Sequence, residues 1–548
     1  MSHAIVSPML VDARNLSKHI GSKILFEGLE LFIDNGEKVG LIGRNGQGKS
    51  TLLNILAGDD QDFLGNISRQ KNLRTVLTSQ EHLNTKELTV LNYILGSVPH
   101  YLDYEKVIKE YEDGIHTNHD HFSDAVEYFS NNNYWQIKDL IIETLSSFQL
   151  DPDHATAALS TLSGGEKRFV ELTRMMYSQA DLLLIDEPTN HMDYIGKERF
   201  ISWLDSVKQG CLVVTHDRDV LGHVDRILEL KDNKLYSYPG NYSDYLKQNT
   251  LSTTSSVVLY QNQLKKLAEA KKKVDWGLAM RAKSKAWKIR YDHWQRDYDK
   301  IKAETVKPSF WIDQDSVADL DKSVTESYHQ FKEKNVIIKT KSEKEKLSQL
   351  LKVEQLSLGY GSPLFKNINY SIGSGDRVFI KGRNGAGKST LVKTILSQYT
   401  NRPCSSTIYD GTITLNKKIK IGEYNQEFDE NYLNLTLEQA VSHAYLEHSI
   451  TIDDREVKKL LSQYLFNPSA DGKLKLSSLS GGQKARFQLI RMLVDDPNLL
   501  ILDEPTNHLD LPSIEELENA LLSYHGGILY ISHDTNFINH MGGEVIKI

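Results

Sequence analysis

The chain has 548 residues, too many for one hydrophobic core, so two or three domains are expected. Its 39% hydrophobic and 25% charged residues are ordinary for a globular protein, and no apolar run approaches the roughly 18 residues that cross a membrane. Two cysteines, Cys211 and Cys404, exclude a disulfide framework and any multi-cysteine zinc module, and a net charge of −8 excludes uniform coating of nucleic acid. The opening MSHAIVSPMLVDARN lacks the basic patch and apolar stretch of a secretory signal. A cytoplasmic protein is expected.

Residues 4–42 alternate short apolar runs with turn signals, which predicts a small antiparallel region. The apolar run 39–42 then enters Gly43-Arg44-Asn45-Gly46-Gln47-Gly48-Lys49-Ser50-Thr51, the phosphate-loop pattern G-x-x-x-x-G-K-[ST]. Its glycines let backbone N–H groups wrap phosphates, Lys49 reaches the β- and γ-oxygens, and the Ser50 hydroxyl suits Mg²⁺. A chance match in a chain of this length has a probability of roughly two per cent. A second copy, from Gly382 through Asn384, Gly385, Gly387, Lys388 and Ser389 to Thr390, follows the apolar run 378–380. Two copies exclude a plain glycine-rich turn.

Gln80, in TVLTSQE, has a counterpart in Gln426, in IGEYNQE. One such glutamine alone reads as a surface residue; two at the same place read as contacts to a metal and its water. Between this glutamine and the next motif the first half holds 29 more residues than the second. The excess falls within about 95–140, as two helices that form either a surface hairpin or an arm touching a partner.

Next comes LSGGEKRFVELTRMMYSQADLLLIDEPTNHMD, ending at Asp193, repeated as LSGGQKARFQLIRMLVDDPNLLILDEPTNHLD, ending at Asp510. Ser163, Gly164 and Gly165, like Ser480, Gly481 and Gly482, open a helix and offer N–H groups to an anion. The strand 182–185 ends in Asp186 and Glu187, matched by Asp503 and Glu504: the first acid of each pair suits Mg²⁺, the second a water facing a phosphate. His216 and His533 keep the same 317-residue offset as the acidic pairs and are assigned to the γ-phosphate.

After PGNYSDYL the composition turns charged and glycine-poor over 246–350. Tyr260, Leu264, Leu267, Val274 and Leu278 have heptad-like spacing, as do Trp287, Tyr291, Trp294, Tyr298 and Ile301. The phase breaks just past Gly277, predicting two helices folded back around a tip at about 277–284. Pro308 is a competing turn, because Val317, Leu320, Val324, Tyr328 and Phe331 form a further stripe. Around the favoured tip lie Lys271, Lys272, Lys273, Arg281, Lys283, Lys285, Lys288 and Arg290, interleaved with Trp276 and Trp287. They read either as an RNA-facing surface or as the solvated face of a coiled coil. The second half resumes at Val353 and runs to Ile548, and no further domain is expected.

Paired phosphate loops, LSGG signatures and the strands LLLIDEP and LILDEP resemble the ATP-binding cassette family, with two nucleotide-binding domains. Tandem domains, a charged helical linker and PGNYSDYL resemble its ABC-F branch. The fold implied is α/β: two tandem P-loop ATPase domains, 1–245 and 351–548, joined by a long helical hairpin. The resemblance implies a cytoplasmic ATPase that binds the ribosomal exit-tRNA site and pushes its linker toward the peptidyl-transferase centre. It would act as a translation factor or an antibiotic-protection protein.

The resemblance also implies a monomer whose halves form two composite sites head to tail. One phosphate loop with Gln80, Asp186, Glu187 and His216 would face Ser480 and Gly482. The other, with Gln426, Asp503, Glu504 and His533, would face Ser163 and Gly165. Both glutamates are present, so both sites are expected to hydrolyse ATP with Mg²⁺. The adenine-stacking aromatic is Tyr360 in LSLGYG, but Ile20 stands at the matching place in LSKHIG. The family's longer C-terminal extension is not present in this sequence. Rival readings are a transporter motor, which would need a membrane partner, a DNA-repair ATPase, which would need zinc cysteines, and a scaffold that uses ATP only as a clamp.

Overall fold

The computed structural model describes residues 9–548, apart from 22, 79–87, 116–117, 149, 191, 306, 308–310, 314–315, 318–319, 321–324, 327, 329–346, 425–429 and 508. Two similar units follow one another along the chain. In the first, six strands lie in the order Thr75–Leu77, Leu182–Asp186, Gly210–Val214, Lys38–Gly43, Arg226–Lys231, Lys234–Pro239; only the last pair is antiparallel. In the second, Ile421–Tyr424, Leu499–Asp503, Gly527–Ile531, Arg377–Lys381 and Glu544–Lys547 form a wholly parallel sheet.

Strand alternation explains the apolar runs that end in acids. Leu182 and Leu184 enter a core shared with Leu41, Leu52 and Val214, while Leu183 and Ile185 enter another with Val170, Phe200 and Val213. Leu499 and Ile501 part from Leu500 and Leu502 in the same way. A strand covered on both faces needs consecutive apolar residues, and each buried Leu or Ile contributes about 1.5–3 kcal/mol.

Each unit adds a three-stranded antiparallel sheet over its phosphate loop, Met9–Ile20 with Lys23–Asp34 and Leu64–Arg69 in one, Leu351–Tyr360 with Ser362–Ile372 and Thr407–Leu415 in the other. Gly48, at φ 101°, sits where a Cβ would lie 3.2 Å from Leu25 and 3.3 Å from Phe26; Gly387 has the same φ against Phe365 and Leu364. The missing side chains let the hairpin of each sheet press onto its loop.

The first unit carries the helices Tyr101–Glu112 and His119–Asn131, which pair through stacked Tyr111 and Phe122 rings 4.1 Å apart. This hairpin falls where the 29 extra residues were expected.

The linker begins as the helix Tyr242–Met280, which at 39 residues is about 58 Å long. PGNYSDYL has a local reason: Gly240 takes φ 97°, and the Asn241 side chain caps the N–H groups of Ser243 and Asp244. A return helix, Lys285–Glu304, packs beside it, the turn lying at 281–284. Gly277 is not part of that turn. It is helical and buried, and a Cβ there would stand 3.0 Å from the Trp294 ring. The phase break spans the turn itself, whereas Gly277 marks a close helix approach.

Pro308, Val324 and Phe331 lie outside the described residues; Val317, Leu320 and Tyr328 gather around Val257 and Ile312. Among the described residues, no helix is long and apolar enough to cross a membrane.

Candidate active site

The two units face each other across a cavity of about 1360 Å³. Asn45, Gly46, Gly48, Lys49, Ser50 and Thr51 line it from one unit, and Asn384, Gly385, Gly387, Lys388, Ser389 and Thr390 from the other. Asp186, Glu187, Asp503, Glu504, His216, His533, Ser163, Gly164, Gly165 and Tyr360 complete most of the wall. Gly43 and Gly382 lie behind the loops, their carbonyls accepting Lys49 Nζ at 2.6 Å and Lys388 Nζ at 2.9 Å. Gln80 and Gln426 fall outside the described residues.

The second signature behaves differently from the first. Ser480, Gly481 and Gly482 are not among the cavity walls. The Ser480 hydroxyl accepts the Gln483 N–H at 3.3 Å, and Gln483 Oε1 accepts the Ser480 N–H at 3.0 Å. This capping box also occurs at Ser163 and Glu166, so the LSGG pattern is a helix start in both units.

Both glutamates sit in the left-handed region, Glu187 at φ 47° and Glu504 at φ 48°, which is uncommon for a side chain of this size. The sheet holds them there. The Glu187 N–H donates to the Val214 carbonyl at 2.8 Å, and the Glu504 N–H to Ile531 at 3.0 Å. Each strand thus ends in a turn that delivers its second acid to the cavity. The Arg168 side chain donates to the Asp186 and Pro188 carbonyls and braces the first of these turns.

His216 Nε2 lies 3.6 Å from Glu187 Oε1, and His533 Nε2 lies 3.2 Å from Glu504 Oε1. Burial pushes the Glu187 carboxyl up to about 7, against the pull of Lys49, and raises Glu504 as well. Burial lowers His216, and lowers His533 to about 3, so both rings are neutral near pH 7. Lys49 and Lys388 are also lowered by burial, opposed by the acids around them.

The residues suit a triphosphate. Both ring nitrogens of His216 are buried with no hydrogen-bond partner among the described residues, on the cavity wall. The helices Lys49–Ala57 and Lys388–Thr400 begin at the loops and present their first N–H groups there. A hard divalent cation also fits the hydroxyl and carboxylate oxygens of Ser50 with Asp186 and of Ser389 with Asp503. Burial raises the Asp503 carboxyl, and the neighbouring Ser389 hydroxyl opposes that rise.

Two residues that the sequence left without a role connect the units. Asp510 Oδ2 accepts the Asn45 N–H at 3.0 Å, and Asp193 Oδ2 accepts the Asn384 N–H at 3.1 Å. The other oxygen of each carboxylate caps its own helix, at Ser513 and Gly196. The available signal was positional: each aspartate closes its repeated string at the shared 317-residue offset. Lys197 bridges Asp217 and Asp219, and Asp219 accepts the Thr535 hydroxyl of the other unit at 2.7 Å.

The ABC transporter family profile matches this chain twice, at residues 26–190 and 365–507, and a second ABC transporter profile covers 228–306. The chain belongs to the ATP-binding cassette family. Its two cassettes and helical insert are of the ABC-F type, and it hydrolyses ATP. It is similar to the probable ATP-binding protein YbiT of Escherichia coli O157:H7, with 31% identity over 98% of this chain and 96% of that one. The putative ATP-binding protein YdiF of Bacillus subtilis (strain 168) is 30% identical over 98% of this chain and 80% of its own. Among solved structures, an RNase-L inhibitor aligns with TM-score 0.55 and 17% identity over 97% of this chain and 87% of its own. An archaeal ribosome recycling factor, aABCE1, in complex with the ribosomal stalk protein aP1, aligns with TM-score 0.53 and 16% identity. That likeness is one of fold alone.

Proposed function

We propose that this ABC ATPase is a cytoplasmic ribosome-acting factor, working as a monomer and closed by ATP. The carrying observation is the reciprocal pair of contacts from Asp193 and Asp510, which tie each phosphate loop to the opposite cassette. Residues 1–245 and 351–548 act as the two cassettes, and 246–350 as the effector.

At each site the loop N–H groups and the lysine, Lys49 or Lys388, hold the β- and γ-phosphates. Glu187 and Glu504 orient the attacking water and receive its proton; a carboxyl raised by burial is a stronger base for that step. Neutral His216 and His533 donate from a ring N–H to γ-phosphate oxygen. Ser163 and Gly165 serve the second site across the interface, and Ser480 and Gly482 serve the first. Ser50 with Asp186, and Ser389 with Asp503, would hold Mg²⁺, which when bound would supply charge neutralisation for the phosphate oxygens; Gln80 and Gln426 are the further residues we assign to it. Loss of the γ-phosphate removes the group that both cassettes share and lets them separate.

Ribosomal RNA and tRNA are the partners we assign to the linker tip, near the exit-tRNA site. Lys271, Lys272, Lys273, Arg281, Lys283, Lys285, Lys288 and Arg290 are all exposed. The helix Lys285–Glu304 buries none of its residues, and Trp276 is 49% exposed beside Trp287. Exposed cations among aromatic rings, with Arg281 over Tyr291 and Arg290 over Trp287, suit phosphates and unstacked bases. Replacing Lys271, Lys272, Lys273, Lys283, Lys285 and Lys288 with Glu is expected to abolish co-sedimentation with ribosomes and leave basal ATP turnover intact. Unchanged co-sedimentation would remove the tip from the interface.

A further inference from the structure

His216 lines two cavities. One is the nucleotide cavity; the other, of about 40 Å³, lies behind the first phosphate loop. Three parts of the chain build this smaller cavity. Ile42, His216 and Glu229 come from the first cassette, Tyr245 and Trp311 from the linker helix and the segment beyond its return, and Leu511 from the second cassette. Tyr245 stands in the first turn of the long linker helix, fully buried, its ring 5.0 Å from Tyr238 and 6.3 Å from Trp311.

The polar groups of this cavity are buried. Glu229 is held by the Tyr238 hydroxyl, which donates to its Oε2 at 3.3 Å. The Tyr245 hydroxyl and both ring nitrogens of His216 make no hydrogen bond among the described residues. Burial, and after it Glu229, keeps the Tyr245 hydroxyl protonated and able to donate. A cavity needs roughly 10–15 Å³ and about two to four polar partners to hold one water, and this one offers both. The second cassette is built otherwise at the matching place. Glu229 pairs with Ile42 across the first sheet, whereas Lys547 pairs with Lys381 across the second, and both lysines are exposed.

We propose that Tyr245 is a positioning residue for the first site, holding His216 through water in the smaller cavity. Nε2 is the ring nitrogen on the side of Glu187. To donate to a phosphate oxygen it must carry the proton, which leaves Nδ1 as an acceptor. The Tyr245 hydroxyl donates to a water, that water donates to Nδ1, and Glu229 accepts the water's second hydrogen. Such a chain disfavours the tautomer that would turn a bare Nε2 toward the phosphate. The exposed Lys547 offers no matching acceptor, so the arrangement belongs to the first site. This inference rests on the role proposed for His216 at the γ-phosphate.

The test follows the burst of Mg-ATP cleavage in two full-length proteins that each keep one hydrolysing site, Glu504→Gln for the first and Glu187→Gln for the second. Tyr245→Phe keeps the ring and removes the hydroxyl. In Glu504→Gln it is expected to slow the burst about 3- to 10-fold with ATP affinity within about twofold. Glu229→Met, which removes the acceptor at similar volume, is expected to give the same split. In Glu187→Gln, Tyr245→Phe is expected to change neither rate nor affinity. Tyr242→Phe deletes another buried hydroxyl of the same helical turn, one that does not line the cavity, and is expected to leave both proteins unchanged. Adding Tyr245→Phe to His216→Ala is expected to cost nothing further. An unchanged burst in Glu504→Gln, equal slowing in the two proteins, or a full further loss on top of His216→Ala would overturn the inference. If His216→Ala by itself leaves the first-site burst unaltered, the role proposed for His216 falls, and this inference with it.

Discussion

Asp510 caps its own helix with one carboxylate oxygen and accepts the backbone N–H of Asn45, in the opposite phosphate loop, with the other. One side chain therefore fixes the start of a helix and the closed position of two cassettes. Surroundings hold the Asp510 carboxyl below the usual range, chiefly through Ser513, against the upward push of burial.

Asp510→Ala removes an ionic hydrogen bond worth about 1.5–3 kcal/mol and a cap worth about 1 kcal/mol. Steady-state phosphate release is expected to fall roughly 10- to 100-fold, because the closed state loses a contact the open state does not make. Asp510→Asn keeps an oxygen for Asn45 and is expected to lose less. Equal losses in the two variants would show that charge, and not the geometry of the bond, sustains closure.

The linker is rooted in the same interface. Trp311 Nε1 donates to Glu515 Oε2 at 2.9 Å, and the Trp311 carbonyl accepts Asn249 Nδ2 of the long linker helix at 2.9 Å. Burial drives the Glu515 carboxyl well above its usual range, Asp313 adds to the rise, and Arg218 opposes it. A carboxyl raised on folding stabilises the fold below its ordinary pKa and loses that contribution as pH rises. Glu515→Gln keeps an oxygen for Trp311 and carries no charge. Its melting temperature relative to the parent is expected to rise by about 2–4 °C between pH 5 and pH 8. A constant difference across that range would show that Glu515 does not titrate there.

Gly277 sets the distance between the linker helices, and a Cβ there would meet Trp294 at 3.0 Å and Tyr291 at 3.5 Å. Gly277→Leu forces an overpacked crossing, which typically costs 1–3 kcal/mol. Tryptophan emission is expected to shift to the red as Trp276, Trp287 and Trp294 gain water, and proteolysis near 277–294 to accelerate, with ATP turnover little changed. Unaltered emission would place the helices farther apart than described.

The repeats made most of the site legible. Phosphate loops, acidic pairs and histidines each occur twice at related offsets, and the cavity brings these elements together. The bonds from Asp193 to Asn384 and from Asp510 to Asn45 were not legible, because they join residues far apart in sequence through cassette pairing. Nor does a sequence disclose that Glu187 and Glu504 turn left-handed, since that conformation comes from the Val214 and Ile531 carbonyls on the adjacent strands. The break in heptad phase put the linker tip at about 277–284, and Gly277 at its start lies inside the helix, where it lets Trp294 approach. At both signatures the serine hydroxyl caps its own helix; Ser163 lines the described cavity and Ser480 does not.

The most direct test of the account is sedimentation of the Glu187→Gln, Glu504→Gln double variant with purified ribosomes, with and without ATP. Loss of both bases is expected to slow hydrolysis about 10²- to 10⁴-fold while leaving ATP binding intact, so the closed form accumulates. The account predicts that the variant pellets with ribosomes only when ATP is present. Intact ATP binding with no ATP-dependent pelleting would contradict it and direct attention to membrane fractions.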